Sequence, residues 1–159
     1  HFYVTATTSG VERVFRDMLK WNAQWRLDVD IVNVTSALAA VNLAGPDSRK
    51  VLQKLTEMDL SQEGFPYLAY REAEVAGIPS RLLRVGFVGE LGYEIHVPAR
   101  YGEAMWDALM EAGAEFDITP RLGYCPKETL LCWWPVGRHR DGKKADPEAG
   151  GLCVAQRSA

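Results

Sequence analysis

Residues 85–98 read VGFVGELGYEIHVP, three glycines and two acids set into an apolar alternation. The second half alternates cleanly, with Tyr93, Ile95 and Val97 on one face of a strand and Glu94 and His96 on the other. The first half spaces its glycines G-x-x-G-x-x-G. Neither the dinucleotide fingerprint nor a Walker loop has that spacing, and the helix and lysine those motifs need do not follow. A phosphate loop is excluded. The structural reading is a connection between two strands, in which Gly89 and Gly92 supply positive φ at a tight reversal and Glu90 is solvated.

Glu94 admits a second reading. A carboxylate on the strand face opposite the core either points to water or lines a cavity. Its two side-by-side acceptors match a ligand edge with two side-by-side donors, such as the N–H and exocyclic amine of a pterin or guanine. His96 shares that face and reads as a partly exposed strand histidine, with proton transfer as the alternative.

Working outward, AYREAEVAGIPSRLLRVGF predicts two strands around a turn at Ala76-Gly77, and Pro79 predicts an edge position because it has no N–H to donate. RYGEAMWDALMEAG predicts a helix with Tyr101, Met105, Ala108, Leu109 and Ala112 inward and Gly113 as the C′ residue. Upstream, FYVTAT reads as a strand and the following segment as an amphipathic helix. In that helix Val11, Val14, Phe15, Met18, Asn22 and Trp25 form the inward stripe, and Ser9 with Glu12 forms a capping box. VDIVNV and ALAAVNLAG read as antiparallel neighbours joined by a tight reversal at Thr35-Ser36. In GPDSRKVLQKL, Pro46 suits the first helical position, Asp47 the positive end of the dipole, and Val51, Leu52 and Leu55 the inward face. Asp47, Arg49 and Lys50 read as capping and solvated residues. MDLSQEGFPYL reads as loop.

The pattern is an α+β fold, a mainly antiparallel sheet with helices packed on one face, in the order β-α-β-β-α-β-β-β-α over residues 1–120. Trp21, Trp25 and Trp106 lie at or beside apolar stripes, which predicts core or subunit-interface packing. From Arg121 the periodicity disappears. Residues 121–159 read as a divergent tail, poorly ordered or frame-shifted, whose apolar cluster Leu130–Trp134 is too short to define an element.

At 159 residues and 47% hydrophobic content the chain holds one core. Its 18 basic residues nearly balance 21 acidic ones without basic and aromatic interleaving, which argues against nucleic acid. No apolar run approaches the roughly 20 residues that span a bilayer, and no leader pattern opens the chain, so it reads as cytoplasmic. Lacking an initiator Met, it reads as a trimmed piece of something longer. Cys125, Cys132 and Cys153 have no CxxC spacing and read as free thiols, with no metal site.

The runs NLAGPDSRKVLQKL and LSQEGFPYLAYREAEVAGIPSRLLRVGFVGELGYEIHVPARYGEAMWDALMEAGAEFDITP resemble the folate-binding aminomethyltransferase family. That domain occurs in glycine-cleavage T-proteins and in dimethylglycine and sarcosine dehydrogenases and oxidases. Within the family the likeness is to the C-terminal part of the alpha subunits of heterotetrameric sarcosine oxidases. It covers residues 1–120, and GPDSR…VL, FP, AGIP.R, GE.GYEI.VP and ITP occur in order.

The resemblance implies tetrahydrofolate binding, with Glu94 on the pterin ring. Phe87 takes the family's aromatic position, often Tyr, where its ring can stack or line the pocket but donates no hydrogen bond. It implies that oxidation of an N-methyl amino acid at a flavin yields an iminium whose methylene carbon tetrahydrofolate captures, giving methylenetetrahydrofolate. Flavin and NAD belong to other parts of the parent assembly, and the partners are other subunits of a hetero-oligomeric oxidase. The family's catalytic aspartate lies upstream of the segment matched by HFYVTATTSG, so no catalytic residue is assigned and the fragment alone is expected to be inactive. After ITP the family continues into a helix carrying a ligand-holding Arg and a further β domain, which RLGYCPKETLLCWW does not match. VGRHRDG is a faint echo without an assigned role. The alternatives are a noncatalytic scaffold that docks flavin-bearing subunits, or a glycine-cleavage aminomethyltransferase.

Overall fold

The computed structural model describes residues 2–6, 10–86, 90–120, 130–134 and 152–157. Its elements are β1 (Phe2–Thr5), α1 (Val11–Trp25), β2 (Val29–Asn33), β3 (Leu38–Ala44), α2 (Ser48–Gln53), β4 (Tyr70–Val75), β5 (Ile78–Leu83), β6 (Gly92–Pro98), α3 (Gly102–Gly113), β7 (Thr119–Pro120), β8 (Leu130–Trp134) and β9 (Leu152–Arg157). The chain divides into two compact units, residues 1–37 with 135–159, and residues 38–134.

In the first unit, β9 lies between β1 and β2, antiparallel to both. The expected reversal from β2 into β3 is therefore corrected, because the two strands belong to different sheets. A 3-10 turn over Thr35–Ala37 separates them, held by Ala37 N–H to Val34 O at 3.0 Å and Thr35 N–H to Asn33 Oδ1 at 3.0 Å. The physical difference is burial. β2 half-buries only Val29 and Ile31, whereas Ala39, Val41, Leu43 and Ala44 of β3 are all buried.

Helix α1 begins after Gly10, which makes no side-chain cap bond; Ser9 lies outside the described residues. Glu12 in the first turn still meets the positive end of the dipole. The helix closes on a left-handed Arg26, with Arg26 N–H to Ala23 O and Leu27 N–H to Asn22 O, a Schellman arrangement. Val11 is buried and Val14, Phe15, Met18 and Asn22 are half-buried, but Trp25 leaves the stripe. It is 61% exposed and stacks on Trp21, ring centres 4.9 Å apart, which corrects the core reading of this pair. Trp106 packs against the core of the second unit.

The second unit is a six-stranded sheet of order β4-β5-β6-β3-β8-β7, antiparallel except for β7 beside β8. One face carries Val41, Leu43, Leu82, Tyr93, Ile95 and Val97, buried with Val51 and Leu52 of α2 and Met105 and Leu109 of α3. The α+β layering follows from this face. Leu130–Trp134, too short for an element by local pattern, is β8, because the ladder along β3 stabilises it. Pro79 does not mark an edge. β5 is internal, and Pro79 is tolerated because pairing to β6 begins only at Arg81, leaving β4 as the edge strand.

The turn at Ala76-Gly77 has both residues left-handed, φ 51° and 72°, as a two-residue hairpin requires. Gly92 does not supply positive φ. It is extended, and a Cβ there would sit 2.8 Å from Val85 O, so this glycine serves close approach. Gly89 lies outside the described residues. Gly113 is likewise not a left-handed C′ residue but the last residue of α3, pressed against Ile118; Asp117 takes the left-handed position. Pro46 precedes α2 rather than starting it, and Asp47 is the N-cap residue, bound to Lys50 at 2.7 Å.

On β4 and β5, Tyr70 O–H donates to Glu72 Oε1 at 2.5 Å, and Arg81 Nε donates to the same oxygen at 3.3 Å. The Tyr70 and Arg81 bonds hold the Glu72 carboxyl below its usual range, while burial and then the bond to Glu72 push the Tyr70 phenol up.

Two predictions follow from the packing. Gly92→Ala brings a Cβ to 2.8 Å from the Val85 backbone oxygen, so the backbone must shift, and is expected to cost roughly 1–3 kcal/mol, read as a lower urea midpoint with unchanged slope. Gly77→Ala has free space but a forced left-handed φ, for about 1 kcal/mol, and Gly77→Asn is expected to restore most of it. For Glu72, a depressed folded pKa means stability that is present above the ordinary value of 4.5 and lost as pH falls through the folded value. Glu72→Gln is therefore expected to lower the melting temperature at pH 7 and to converge on the parent chain below that window.

Candidate functional site

β6 pairs with β3 along its whole length, from Leu38 opposite Pro98 to Ala44 opposite Gly92, and its odd residues Tyr93, Ile95 and Val97 are all fully buried. Glu94 and His96 must then leave by the other face. Opposite Glu94 stand Asn42 on β3 and Leu83 on β5; opposite His96 stand Ala40 and Arg81.

The Glu94 side chain is 36% exposed. Its Oε2 lies 3.3 Å from His96 Nε2, and among the described residues Oε1 has no hydrogen-bond partner. The carboxylate is thus neither sealed in the core nor extended into bulk solvent. Asn42 Oδ1, on the facing strand, is buried without a hydrogen-bond partner among the described residues. His96 is only 4% exposed, which corrects the reading of a partly exposed histidine. The face opposite the core is not the same as solvent, for His96 lies in a wall it shares with Leu38, Glu72, Arg81 and Pro98. Phe87, the other expected ligand contact, lies outside the described residues.

Two cavities adjoin this stretch of β6 on either side of Glu94, which lines neither of them. One, of about 330 Å³, is lined by His96, Arg81, Glu72, Glu74, Leu38 and Pro98 among others. The other, of about 260 Å³, lies where β6 begins, with Arg84, Tyr67, Glu90 and Gly92 in its wall. Arg84 is buried, with Nη1 donating to Phe65 O at 2.6 Å and Nη2 to Gln62 Oε1 at 2.8 Å, so it braces the loop before β4. Arg49 Nε donates to Tyr93 Oη at 3.3 Å and also serves the framework.

Sequence reasoning missed Arg81 and Glu72. The signal was there, since the Ala76-Gly77 turn fixes the register that places these two residues opposite each other. It also missed Asn42, which only the long-range pairing of β3 with β6 brings beside Glu94. Among the described residues no group of three or more His, Cys, Asp or Glu side chains is placed to hold a metal. No helix among them is long and apolar enough to cross a membrane.

The chain matches the GCVT N-terminal domain over residues 1–129. The sarcosine oxidase alpha subunit of Rhizobium meliloti (strain 1021) is 41% identical over 124 residues, 75% of this chain and 12% of that protein. The aminomethyltransferase of Alkaliphilus metalliredigens (strain QYMF) is 35% identical over 130 residues, 82% of this chain and 34% of that protein. The chain thus spans between an eighth and a third of the length of these curated relatives. Among solved structures, the heterotetrameric sarcosine oxidase from Corynebacterium sp. U-96 in complex with pyrrole 2-carboxylate shares the fold. Its TM-score is 0.52 at 23% identity, over 59% of this chain and 46% of that one. With the family match extending past Pro120, where the sequence motifs end, and covering most of the chain, the assignment is direct: the chain belongs to the GCVT N-terminal domain family.

Proposed function

We propose that this chain is a tetrahydrofolate-binding piece of a sarcosine oxidase alpha subunit-like protein, with Glu94 gripping the donor edge of the pterin ring. The observation that carries the reading is the state of the Glu94 carboxylate. It sits half-exposed on the sheet face opposite the core with Oε1 unpartnered among the described residues, beside the orphaned acceptor Asn42 Oδ1. The exposed carboxylate suits a ligand edge made of N–H groups, while Asn42 Oδ1 is itself buried. Family membership supports the same ligand.

When bound, tetrahydrofolate supplies a nucleophilic nitrogen that takes up the methylene carbon of an oxidised N-methyl amino acid such as sarcosine, giving methylenetetrahydrofolate. Flavin and NAD are held elsewhere in the parent assembly, whose other subunits are the chain's partners. The chain's own part is positioning. Glu94 orients the pterin by a charge-assisted bond to Oε1, and the β3–β6 ladder keeps that carboxylate in register, so the ligand meets an acceptor already in place. No residue described here takes a catalytic role, and the chain alone is expected not to turn over.

Calorimetric titration with tetrahydrofolate under anaerobic conditions tests this. Glu94→Gln replaces one acceptor with a donor that faces donors, and a charge-assisted bond is worth about 1.5–3 kcal/mol. The variant is expected to bind at least about tenfold more weakly. Equal affinity of the two chains removes Glu94 from the site and, with it, the physical basis of the assignment.

A further inference from the structure

We propose that His96 is a positioning residue for the Glu94 carboxylate, holding one of its oxygens so that the other is aimed at the ligand. The inference rests on the reading of Glu94 as a pterin contact and goes beyond it, since nothing in the family match assigns His96 a role.

The argument starts from strand geometry. Residues 94 and 96 project from the same face, about 6.6 Å apart along the strand, within reach of a glutamate and an imidazole leaning toward each other. His96 Nε2 lies 3.3 Å from Glu94 Oε2, a long but directed approach. An ionised carboxylate only accepts, so Nε2 carries the proton in this contact. The two partners differ sharply in freedom. The His96 ring is 4% exposed and flanked by β3 at Ala40 and β5 at Arg81, whereas the Glu94 side chain is 36% exposed. The buried, rotationally confined partner therefore sets the position of the mobile one. A glutamate left alone on a half-open face samples several rotamers, and a binding group held in one geometry is worth more to a ligand than the same group searching for it.

His96 also lines the cavity of about 330 Å³, with Arg81, Glu72 and Glu74 in the same wall. These are the charged groups that neighbour the ring from β5 and β4, and Arg81 is already bound to Glu72. β3 presents the uncharged Ala40 opposite it. Glu94 is thus the carboxylate with which the histidine makes its described ion contact, and the role assigned to His96 acts through Glu94 and not on the ligand itself.

The test uses the full 159-residue chain, tetrahydrofolate as the probe, and the variants His96→Leu, His96→Asn and His96→Gln alone and combined with Glu94→Gln. A glutamine amide nitrogen reaches the place of Nε2, and an asparagine amide does not. His96→Leu and His96→Asn are expected to weaken binding about fivefold, and His96→Gln to recover most of it. In the Glu94→Gln background, His96→Leu is expected to add nothing, the signature of two residues acting as one unit. On the unmutated chain, ¹⁵N-detected NMR is expected to show His96 with its proton on Nε2 and a shift of that signal in Glu94→Gln, a readout that needs no His96 variant to fold. Parent-like affinity in His96→Leu beside a weakened Glu94→Gln overturns the positioning role while leaving the pterin contact standing, as does a proton found on Nδ1. Failure of His96→Gln to recover binding overturns it equally. Parent-like affinity in Glu94→Gln removes the underlying site, and the inference with it.

Discussion

The seven-residue antiparallel ladder between β3 and β6 is the constraint on which the site depends. Because side chains alternate across a strand, burying Tyr93, Ile95 and Val97 forces Glu94 and His96 to the opposite face. A slip of one residue would drive the carboxylate into the cluster formed by Val41, Leu43, Leu82, Met105 and Leu109. Burying the carboxylate and exposing three apolar side chains each cost several kcal/mol, so the core and the acid enforce the same register from opposite sides. The start of β6 is pinned as well. Gly45 N–H and Ser48 Oγ both bond to Leu91 O, at 2.8 and 3.1 Å, and Tyr93 stacks against Phe65 with ring centres 5.9 Å apart. The strand that carries Glu94 is fixed by hydrogen bonds at one end and by packing along its length.

What was legible in the sequence is what short-range periodicity encodes. The alternation of residues 93–97, the two-residue turn at Ala76-Gly77 and the stripes Val51/Leu52 and Met105/Leu109/Ala112 each concern residues a few positions apart, and each is found in the structure. Pairing across the chain was not legible. β9 inserts between β1 and β2 from more than a hundred residues away, and β8 extends the sheet beside β3 from a stretch whose local pattern is too short to declare itself. Those choices depend on which edge is left unpaired once the rest of the sheet has formed, a property no window of ten residues contains.

The site divides along the same line. That Glu94 leaves its strand away from the core follows from parity alone, but parity does not say what lies on the far side. His96 was expected to be partly open because it shares that face; it is closed, lining a cavity walled also by Leu38, Glu72, Arg81 and Pro98, whereas Glu94 between the same two strands stays 36% exposed. Asn42 is an ordinary polar residue in LAAVNLA until the ladder sets it opposite Glu94. Trp25 shows the converse, where the spacing placed it on the inward stripe yet the last turn of α1 carries it into an exposed stack with Trp21.

The glycines of the motif change meaning once the backbone is seen. A G-x-x-G-x-x-G run suggests conformational freedom, and Gly92 uses none of it. What matters at Gly92 is the missing side chain, since Val85 O occupies the space where a Cβ would stand. The same economy of volume runs across the sheet face beside Glu94. Gly92 sits opposite Ala44, and Ala40 opposite His96, so the positions before and after the Glu94–Asn42 pair carry side chains of at most one carbon on one strand of each pair. The relief is low on the β3 side of the carboxylate, while on the β5 side Leu83 and Arg81 stand beside Glu94 and His96. For the ligand proposed above, a larger residue at Ala40 would narrow the approach from the β3 side while leaving the ladder intact, whereas at Gly92 the same change would first displace the backbone at Val85.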